Sequence, residues 1–388
     1  SFMNKEPTTY TSHAMLSSEA NLNILINDGQ EVPNIFSEAK RSNEWDGWKK
    51  AIHTEFENME SKKVWVIKPK VELPKGRQLI GNRWVFAKKD DGRFRARTVA
   101  KGFSQIPGKD FQENFAPVVH DTTFRIVMIM KILYGLTSGQ IDVETAFLYG
   151  ELEEELWMVL PEGYAEYHKE KTKEVIENTT HCLKLNRAIY GLVQAARQWW
   201  KKFKNELAKI GYIASSVDPC LFIKNQEGKL PSFIIIYVDD GGIIGTEKDI
   251  KEVIEGLSKT FNIKSMGKME HFVGCHIIEE EGKLMIHQPK LITNLIKHFG
   301  SLIGDRVFRT PAGPKTVIMR PQEGDPLITP EKQKKFRSGV GMLLYLVKHS
   351  RPDINNAVRE LSKVADGATD AHWKQLIRAI AFVIQTKG

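Results

Sequence analysis

Apolar residues recur at Leu192, Ala196, Trp199, Phe203, Leu207 and Ile210, three or four positions apart, and Gly211 follows them. That spacing lays one apolar stripe along a helix from Leu192 to Ile210, with the glycine placed to stop it. A second helix is expected from Ser42, as its cap, with Trp45, Trp48, Ile52 and Phe56 on one face. A third starts at the Asp121-Thr122-Thr123 cap, carries Phe124, Val127, Met128 and Ile132, and ends at Gly135. Strand-like runs flank Asp90-Asp91-Gly92, from Asn82 to Lys89 and from Arg93 to Ala100, which is the pattern of a β-hairpin. A short strand is expected around Gln140–Val143. Two more, Phe233–Val238 and Ile243–Gly245, join tightly through Asp239-Asp240-Gly241-Gly242. Another hairpin, Phe272–Ile278 with Lys283–His287, turns at Glu279–Gly282. The rest is helical and basic, with Leu291–His298, Glu331–Val347 and Asp353–Val364 as expected helices. Residues 1–40 lack strong periodicity and read as an extension, and the opening Ser-Phe-Met reads as an added remnant. Strands and helices interleave without a regular βαβ rhythm, so the expected class is α+β.

Composition narrows the picture only slightly. At 388 residues the chain is long enough for two or three domains. Its 56 lysines and arginines exceed 48 acidic residues, giving a net charge of +8, which favours an anionic partner such as nucleic acid without selecting one. Cys182, Cys220 and Cys275 are an odd, widely spaced set, which argues against a disulfide framework or a zinc site and for a reducing, intracellular setting. The apolar runs are too short to span a bilayer, so no membrane partner is expected.

The strongest local chemistry is Tyr237-Val238-Asp239-Asp240 between two apolar strands. Two-metal phosphoryl transfer needs hard oxygen ligands held rigidly, and a hairpin turn presents carboxylates from a fixed sheet. Successive strand residues point to opposite faces, so Asp239 is expected to face the metals and Asp240 to sit at their margin. Adjacent aspartates alone mean little: Asp90-Asp91 before Gly92 reads as an ordinary turn. A partner carboxylate is needed, and Asp142 is the candidate. Its bland alternative is a strand-end cap or turn residue.

Several longer motifs carry a resemblance. They are Arg95-Ala-Arg-Thr-Val-Ala-Lys-Gly-Phe-Ser-Gln105, Asn114-Phe-Ala-Pro-Val, and Ile141-Asp-Val-Glu-Thr-Ala-Phe-Leu-Tyr-Gly-Glu151. Further along come Leu160-Pro-Glu-Gly-Tyr, Ala188-Ile-Tyr-Gly-Leu-Val-Gln-Ala-Ala-Arg-Gln-Trp, the Tyr-Val-Asp-Asp motif, Gly341-Met-Leu-Leu-Tyr-Leu and Arg351-Pro-Asp-Ile. In this order and spacing, from about Trp45 to Lys387, the chain resembles the polymerase region of copia-type LTR-retrotransposon reverse transcriptases.

The resemblance implies a right-hand polymerase fold. After an extension at 1–40, residues 41–120 and 150–195 would be fingers, 121–149 and 196–288 palm with an antiparallel sheet, and 289–388 a helical thumb or connection. It implies Asp142, Asp239 and Asp240 as catalytic, and these with the Val143 carbonyl as ligands of two Mg²⁺ ions, with Mn²⁺ as a substitute. Phe147 matches an aromatic steric gate selecting dNTPs, against its bland reading as a core ring. Gln194, Arg197, Arg97 and Lys89 would lie at the nucleotide, with Lys88 as the alternative to Lys89. Arg93, Arg95 and Arg97 share a strand face that reads otherwise as a solvated basic one. Tyr237, Phe272 and Gly274 would hold primer and template. The implied partners are an RNA template, a DNA or RNA primer, their RNA–DNA hybrid and a dNTP; the implied setting is a cytoplasmic virus-like particle.

Three departures bear on this. Gly241-Gly242 replaces apolar residues and is expected to loosen the catalytic hairpin. Ala196 stands where proline is common, a change that a helix welcomes. The family continues into a ribonuclease H domain where this chain stops at Gly388, so no RNA-strand cleavage is expected of it. The rival readings are a reverse-transcriptase-like binder without activity and a template-independent nucleotidyl transferase.

Overall fold

In the computed structural model, which describes residues 32–89, 91–314 and 316–386, the strongest apolar stripe becomes the helix Ala195–Lys209. Most of the 1–40 extension, Asp90 of the hairpin turn and the terminal Lys387 lie outside the described residues. The extension's last stretch does hold a short helix, Phe36–Arg41, where none was expected. The next helix runs Trp45–Ser61, three residues later than expected. Ser42 organises the turn ahead of it: its hydroxyl accepts the Glu44 N–H at 3.0 Å and its carbonyl the Trp45 N–H at 3.1 Å.

The chain divides into two compact units. The first comprises the described residues up to Val119, Ile141–Gly241 and Lys251–Ser265; the second comprises His120–Gln140, Gly242–Ile250 and the chain from Met266 onwards. In the first, strands Asn82–Lys88 and Phe94–Ala100 pair antiparallel with Lys88 opposite Phe94. Trp84, Phe86, Ala96 and Thr98 point into a core shared with Trp48, Ile52 and Phe56 of the Trp45–Ser61 helix. Each such fully buried apolar side chain contributes about 1.5–3 kcal/mol. A four-stranded sheet, in spatial order Trp65–Pro69, His181–Arg187, Glu151–Met158 and Leu79–Ile80, borders the same core.

A six-stranded sheet carries the Asp-Asp turn. Its spatial order is Ile263–Gly267, Thr137–Val143, Asp240–Gly245, Ser232–Tyr237, Leu221–Lys224 and Ile213–Ala214. Ser232 through Ile236 are all buried, so both faces of that central strand are covered. The run of β-branched residues suits such a position.

The second unit joins the Asp121–Leu133 helix, a three-stranded meander and a helical cluster. The expected strand Phe272–Ile278 is broken in two. His271–Phe272 and Cys275–Glu280 pair across a turn at Val273-Gly274, and Lys283–His287 closes the meander. The helices are Pro289–Ile303, Pro330–His349, Asn355–Ser362 and Asp370–Gln385. Pro352 turns the start of the expected Asp353–Val364 helix into a 3₁₀ turn. With helices and mainly antiparallel sheets intermixed, the class is α+β. Among the described residues no helix is long and apolar enough to cross a membrane.

The meander stacks three histidines across its strands. The His271 and His276 rings lie 4.7 Å apart and the His276 and His287 rings 5.0 Å, with His276 Nδ1 and His287 Nε2 hydrogen-bonded at 3.1 Å. Burial, then the neighbouring His276, lowers the affinity of His271 and His287 for protons. Lys290 adds to this at His271 and Glu270 opposes it. A base whose folded pKa is depressed contributes stability above its ordinary value of about 6.5 and loses it as pH falls through the folded value. The melting temperature is therefore expected to fall between pH 7 and pH 5, and His287→Leu to make that slope shallower. Circular-dichroism melts that run parallel for parent and variant would count against the ladder as an acid-labile element.

Candidate active site

The site is built on two adjacent strands. Val143 donates its N–H to the Asp239 carbonyl at 3.2 Å, and a Cβ on Gly241 would lie 2.8 Å from Ile141 Cγ1. Two residues forward on one strand thus match two residues back on the other. The pair is antiparallel, and Asp142 falls opposite Asp240 with Asp239 opposite Val143. Residues opposite one another in an antiparallel pair project from the same face, closely so in a non-hydrogen-bonded pair. In that register Asp240 falls across from Asp142, and Asp239 stands at the adjoining turn. All three are half-buried.

Two like charges facing one another destabilise a strand pair unless something offsets them. A divalent cation would, and carboxylate and carbonyl oxygens are the donors that Mg²⁺ prefers. In donor chemistry and strand placement the residues fit such an ion. Their side chains do not converge by themselves: among the described residues no group of three or more His, Cys, Asp or Glu closes into a metal-holding arrangement.

The turn itself is strained. Val238 has φ +60°, an outlier for a β-branched residue that costs on the order of 1–3 kcal/mol. Trp199, one turn into the Ala195–Lys209 helix, donates its indole N–H to the Val238 carbonyl at 2.6 Å. Its ring is clamped by Phe203 and Phe261, each 5.2 Å away. Gly241 and Gly242 are buried, and Gly241 lets the Ile141 side chain lie over the backbone. Ala196 sits in the helix's first turn, where proline is tolerated anyway, so its effect on the helix is small.

An open cleft of about 450 Å³ is lined by Lys50, Arg93, Arg95, Arg97, Thr145 and Tyr190, among others. Arg97 stacks its guanidinium over Tyr190 at 4.4 Å, and Tyr190 meets Phe147 edge-on at 5.1 Å. Gly191 (φ +88°) allows this, because a Cβ there would run into the Ala100 carbonyl. The other basic residues differ in their engagements. Lys88 pairs with Glu44 at 2.6 Å and Arg93 with Asp91 at 2.6 Å, whereas Lys89 is exposed at the hairpin turn.

Two expected nucleotide contacts are engaged by other residues of the chain, Gln194 buried and Arg197 half-buried. Gln194 has no exposed surface; its amide donates to the Asp110 carbonyl at 2.9 Å and Glu154 at 3.2 Å, and accepts from Gln105 at 3.0 Å. It stands at the helix's N-cap position, and its side chain ties together the loop around it. Arg197 donates to the Phe115 carbonyl at 3.1 Å and pairs with Glu113, stapling that loop to the helix. Tyr237 is half-buried at the end of its strand. In the second unit Phe272 is 1% exposed and packs on Phe124 at 5.3 Å, so its ring anchors the meander and offers no face to primer or template. Gly274 is exposed beside it. Tyr190 and Trp199 were missed as site residues, although the motif around Tyr190-Gly191 and the central tryptophan of the strongest stripe marked their positions.

The family model for reverse transcriptase (RNA-dependent DNA polymerase) matches residues 62–312, and this chain belongs to that family. Its relatives are of the copia type. The retrovirus-related Pol polyprotein from transposon TNT 1-94 of Nicotiana tabacum is 33% identical over 377 residues, covering 94% of this chain and 27% of that protein. The one from transposon RE2 of Arabidopsis thaliana is 31% identical over 348 residues, covering 88% of this chain and 23% of that protein. The chain thus spans about a quarter of the length of these curated relatives. Among solved structures, a foamy viral protease-reverse transcriptase in complex with double-stranded DNA aligns with 87% of this chain and 48% of its own, at 12% identity and a TM-score of 0.43.

The packing of Gly241 makes a direct prediction. Gly241→Ala is expected to destabilise the protein by roughly 1–3 kcal/mol, the usual cost of overpacking. The same change in an Ile141→Ala background should cost less, because the obstructing side chain is gone. Equal costs in a urea-denaturation double-mutant cycle would mean the close approach is not what the glycine serves.

Proposed function

We propose that this chain extends a primer 3′-hydroxyl with dNTPs along an RNA template, and along DNA as well. Membership of the reverse transcriptase family makes this class of activity the natural one. The observation that carries the reading is the strand register, which sets Asp142 opposite Asp240 with Asp239 at the adjoining turn. Asp142, Asp239 and Asp240, with the Val143 carbonyl, would hold two Mg²⁺ ions. Ions so held would lower the pKa of the primer hydroxyl and offset charge on the transferring phosphoryl group and leaving pyrophosphate.

The protein's own share is positioning. A rigid, fully covered strand and the Trp199 hydrogen bond keep the carboxylates where charge develops, so little reorganisation is needed at reaction. Arg97 offers a planar fork suited to phosphate oxygens, and exposed Lys89 adds a mobile positive charge. Phe147, held by Tyr190, is the gate that would clash with a ribose 2′-hydroxyl. Gln194 and Arg197 would support this arrangement indirectly, through the loops they hold.

Residues 41–120 and 150–195 would act as fingers, 121–149 and 196–288 as palm, and 289–388 as thumb or connection. Tyr237 and the exposed backbone at Gly274 would meet primer and template. An RNA–DNA hybrid is best gripped through its phosphates and shape, as a general copier requires.

The test is dNTP incorporation on a primed RNA template with Mg²⁺. The parent is expected to extend the primer in a template-directed way, and Asp239→Ala to lose roughly three orders of magnitude or more, the scale of such electrostatic stabilisation. Untemplated ladders would point to a terminal transferase, and binding without extension in Mg²⁺ and Mn²⁺ would point to a non-catalytic binder. In an active parent, Phe147→Val should raise rNTP use relative to dNTP use; an unchanged ratio removes Phe147 as the gate.

A further inference from the structure

A carboxylate sits where the Trp45–Ser61 helix meets the Phe94–Ala100 strand, among residues that otherwise form an apolar core. Glu55 is 5% exposed and lies beside Ile52, Phe56 and Met59 on the buried side of the helix. One oxygen accepts the Thr98 N–H at 3.2 Å. It lines the same cleft as Arg97, Thr145 and Tyr190. A carboxylate this enclosed is costly to keep charged unless a cation compensates it.

The charged groups facing Glu55 come from two elements. Arg97 lies on the strand that supplies the Thr98 N–H, and Lys62 follows Glu55's own helix. Lys62 in turn faces Glu144 and Arg187. Arg93, Arg95 and Lys50 line the rest of the cleft. Among the described residues Arg97 makes no ion pair of its own; its guanidinium lies over Tyr190.

We propose that Glu55 is a proton-linked positioning residue, setting how much of the Arg97 charge is available to the triphosphate of an incoming nucleotide. This rests on the polymerase reading. Ionised, Glu55 is a countercharge that draws Arg97 inward; protonated, it leaves the Arg97 charge to the cleft. The geometry is supported by the carboxyl's proton affinity. Burial pushes it up to about 7, against the opposing effects of the Thr98 hydrogen bond, Arg97 and Lys62. A triphosphate arriving at Arg97 disfavours ionised Glu55, so nucleotide binding takes up a proton, and reciprocally a proton on Glu55 tightens nucleotide binding.

The signs follow. Below about pH 7 Glu55 is neutral and the KM for dNTP is low; above it the KM rises. In Glu55→Gln the side chain stays neutral throughout. Folding stability runs the same way: a carboxyl whose folded pKa is raised stabilises at acid pH, and that contribution is lost as pH rises from its ordinary range through the folded value.

The experiment is dNTP titration on a primed RNA template from pH 6 to 8.5, for the parent and Glu55→Gln, with melts of both over pH 5 to 8.5. The KM of the parent is expected to rise by roughly three- to tenfold, the scale of one screened charge pair. In Glu55→Gln the KM should stay at its low value, with kcat alike in the two proteins. The melting temperature of the variant should overtake that of the parent as pH rises. A flat KM profile in the parent overturns the proposal without recourse to any variant, and so does a rise that persists in Glu55→Gln. A parent that extends no primer at any pH strikes instead at the polymerase reading, and the paired melts then decide independently whether Glu55 titrates: parallel curves overturn its titration.

Discussion

Everything at the candidate active site depends on one backbone pairing, that of Ile141–Val143 with Asp239–Gly241. Its antiparallel register sets two carboxylates face to face and places a third at the adjoining turn. In a metal-free strand pair such an arrangement is a liability, because like charges directly opposite repel. It persists because the sheet beneath it is held by other means. The Ser232–Tyr237 strand is buried along almost its whole length, and the Gly241 backbone lies directly under Ile141. The close approach of Gly241 and Ile141 therefore sets the carboxylates' relation to each other.

The same logic recurs at three β-branched positions where the backbone is strained. Thr145, Val238 and Val273 are all β-branched and all adopt positive φ, an arrangement that such residues avoid. Two of them have their carbonyls captured by a long aromatic side chain: Val238 by the Trp199 indole, Val273 by the Tyr345 hydroxyl at 3.1 Å. Thr145 opens the 3₁₀ turn that carries Phe147, and its carbonyl accepts the Leu148 N–H at 2.9 Å. One such hydrogen bond is comparable in size to the cost of one strained residue. Each turn is thus held by its own partner, and its residues can be placed for function without relaxing.

Reading the chain recovered what periodicity encodes. The Ala195–Lys209 helix, the hairpin at Asp91-Gly92 and the strands around Asp239 all stood close to their expected places. What periodicity misses is decided by tertiary pairing. The Glu151–Met158 strand is rich in glutamate, and it is a strand because neighbours on both sides supply hydrogen bonds. Phe272 looked like a strand residue available to nucleic acid, but Val273-Gly274 bends the chain and turns its ring onto Phe124. Gln194 and Arg197 share a helix side in sequence. Only the folded loops around them reveal that both are engaged by other residues of the chain. The aspartates were legible as a motif, whereas their register was not, since it is set by a close approach at a glycine with no periodic signature.

Charge shows the same gap between composition and structure. A net charge of +8 suggests a broadly basic surface, yet many of these cations are matched within the chain. Lys88 is held by Glu44, Arg93 by Asp91, Arg197 by Glu113, and Lys201 by Glu153. Exposed pairs of this kind add little stability, but they remove positive charge from the field a ligand meets. Arg97 is the contrasting case. Its acidic neighbour is Glu55, enclosed in the core and weakened as a counterion by its own reluctance to ionise. A buried acid whose pKa is raised neutralises less at neutral pH than an exposed one such as Asp91, whose pKa is lowered by its hydrogen bonds to Arg93. The useful positive potential of the cleft is therefore set less by how many arginines line it than by which of their acidic neighbours are dry.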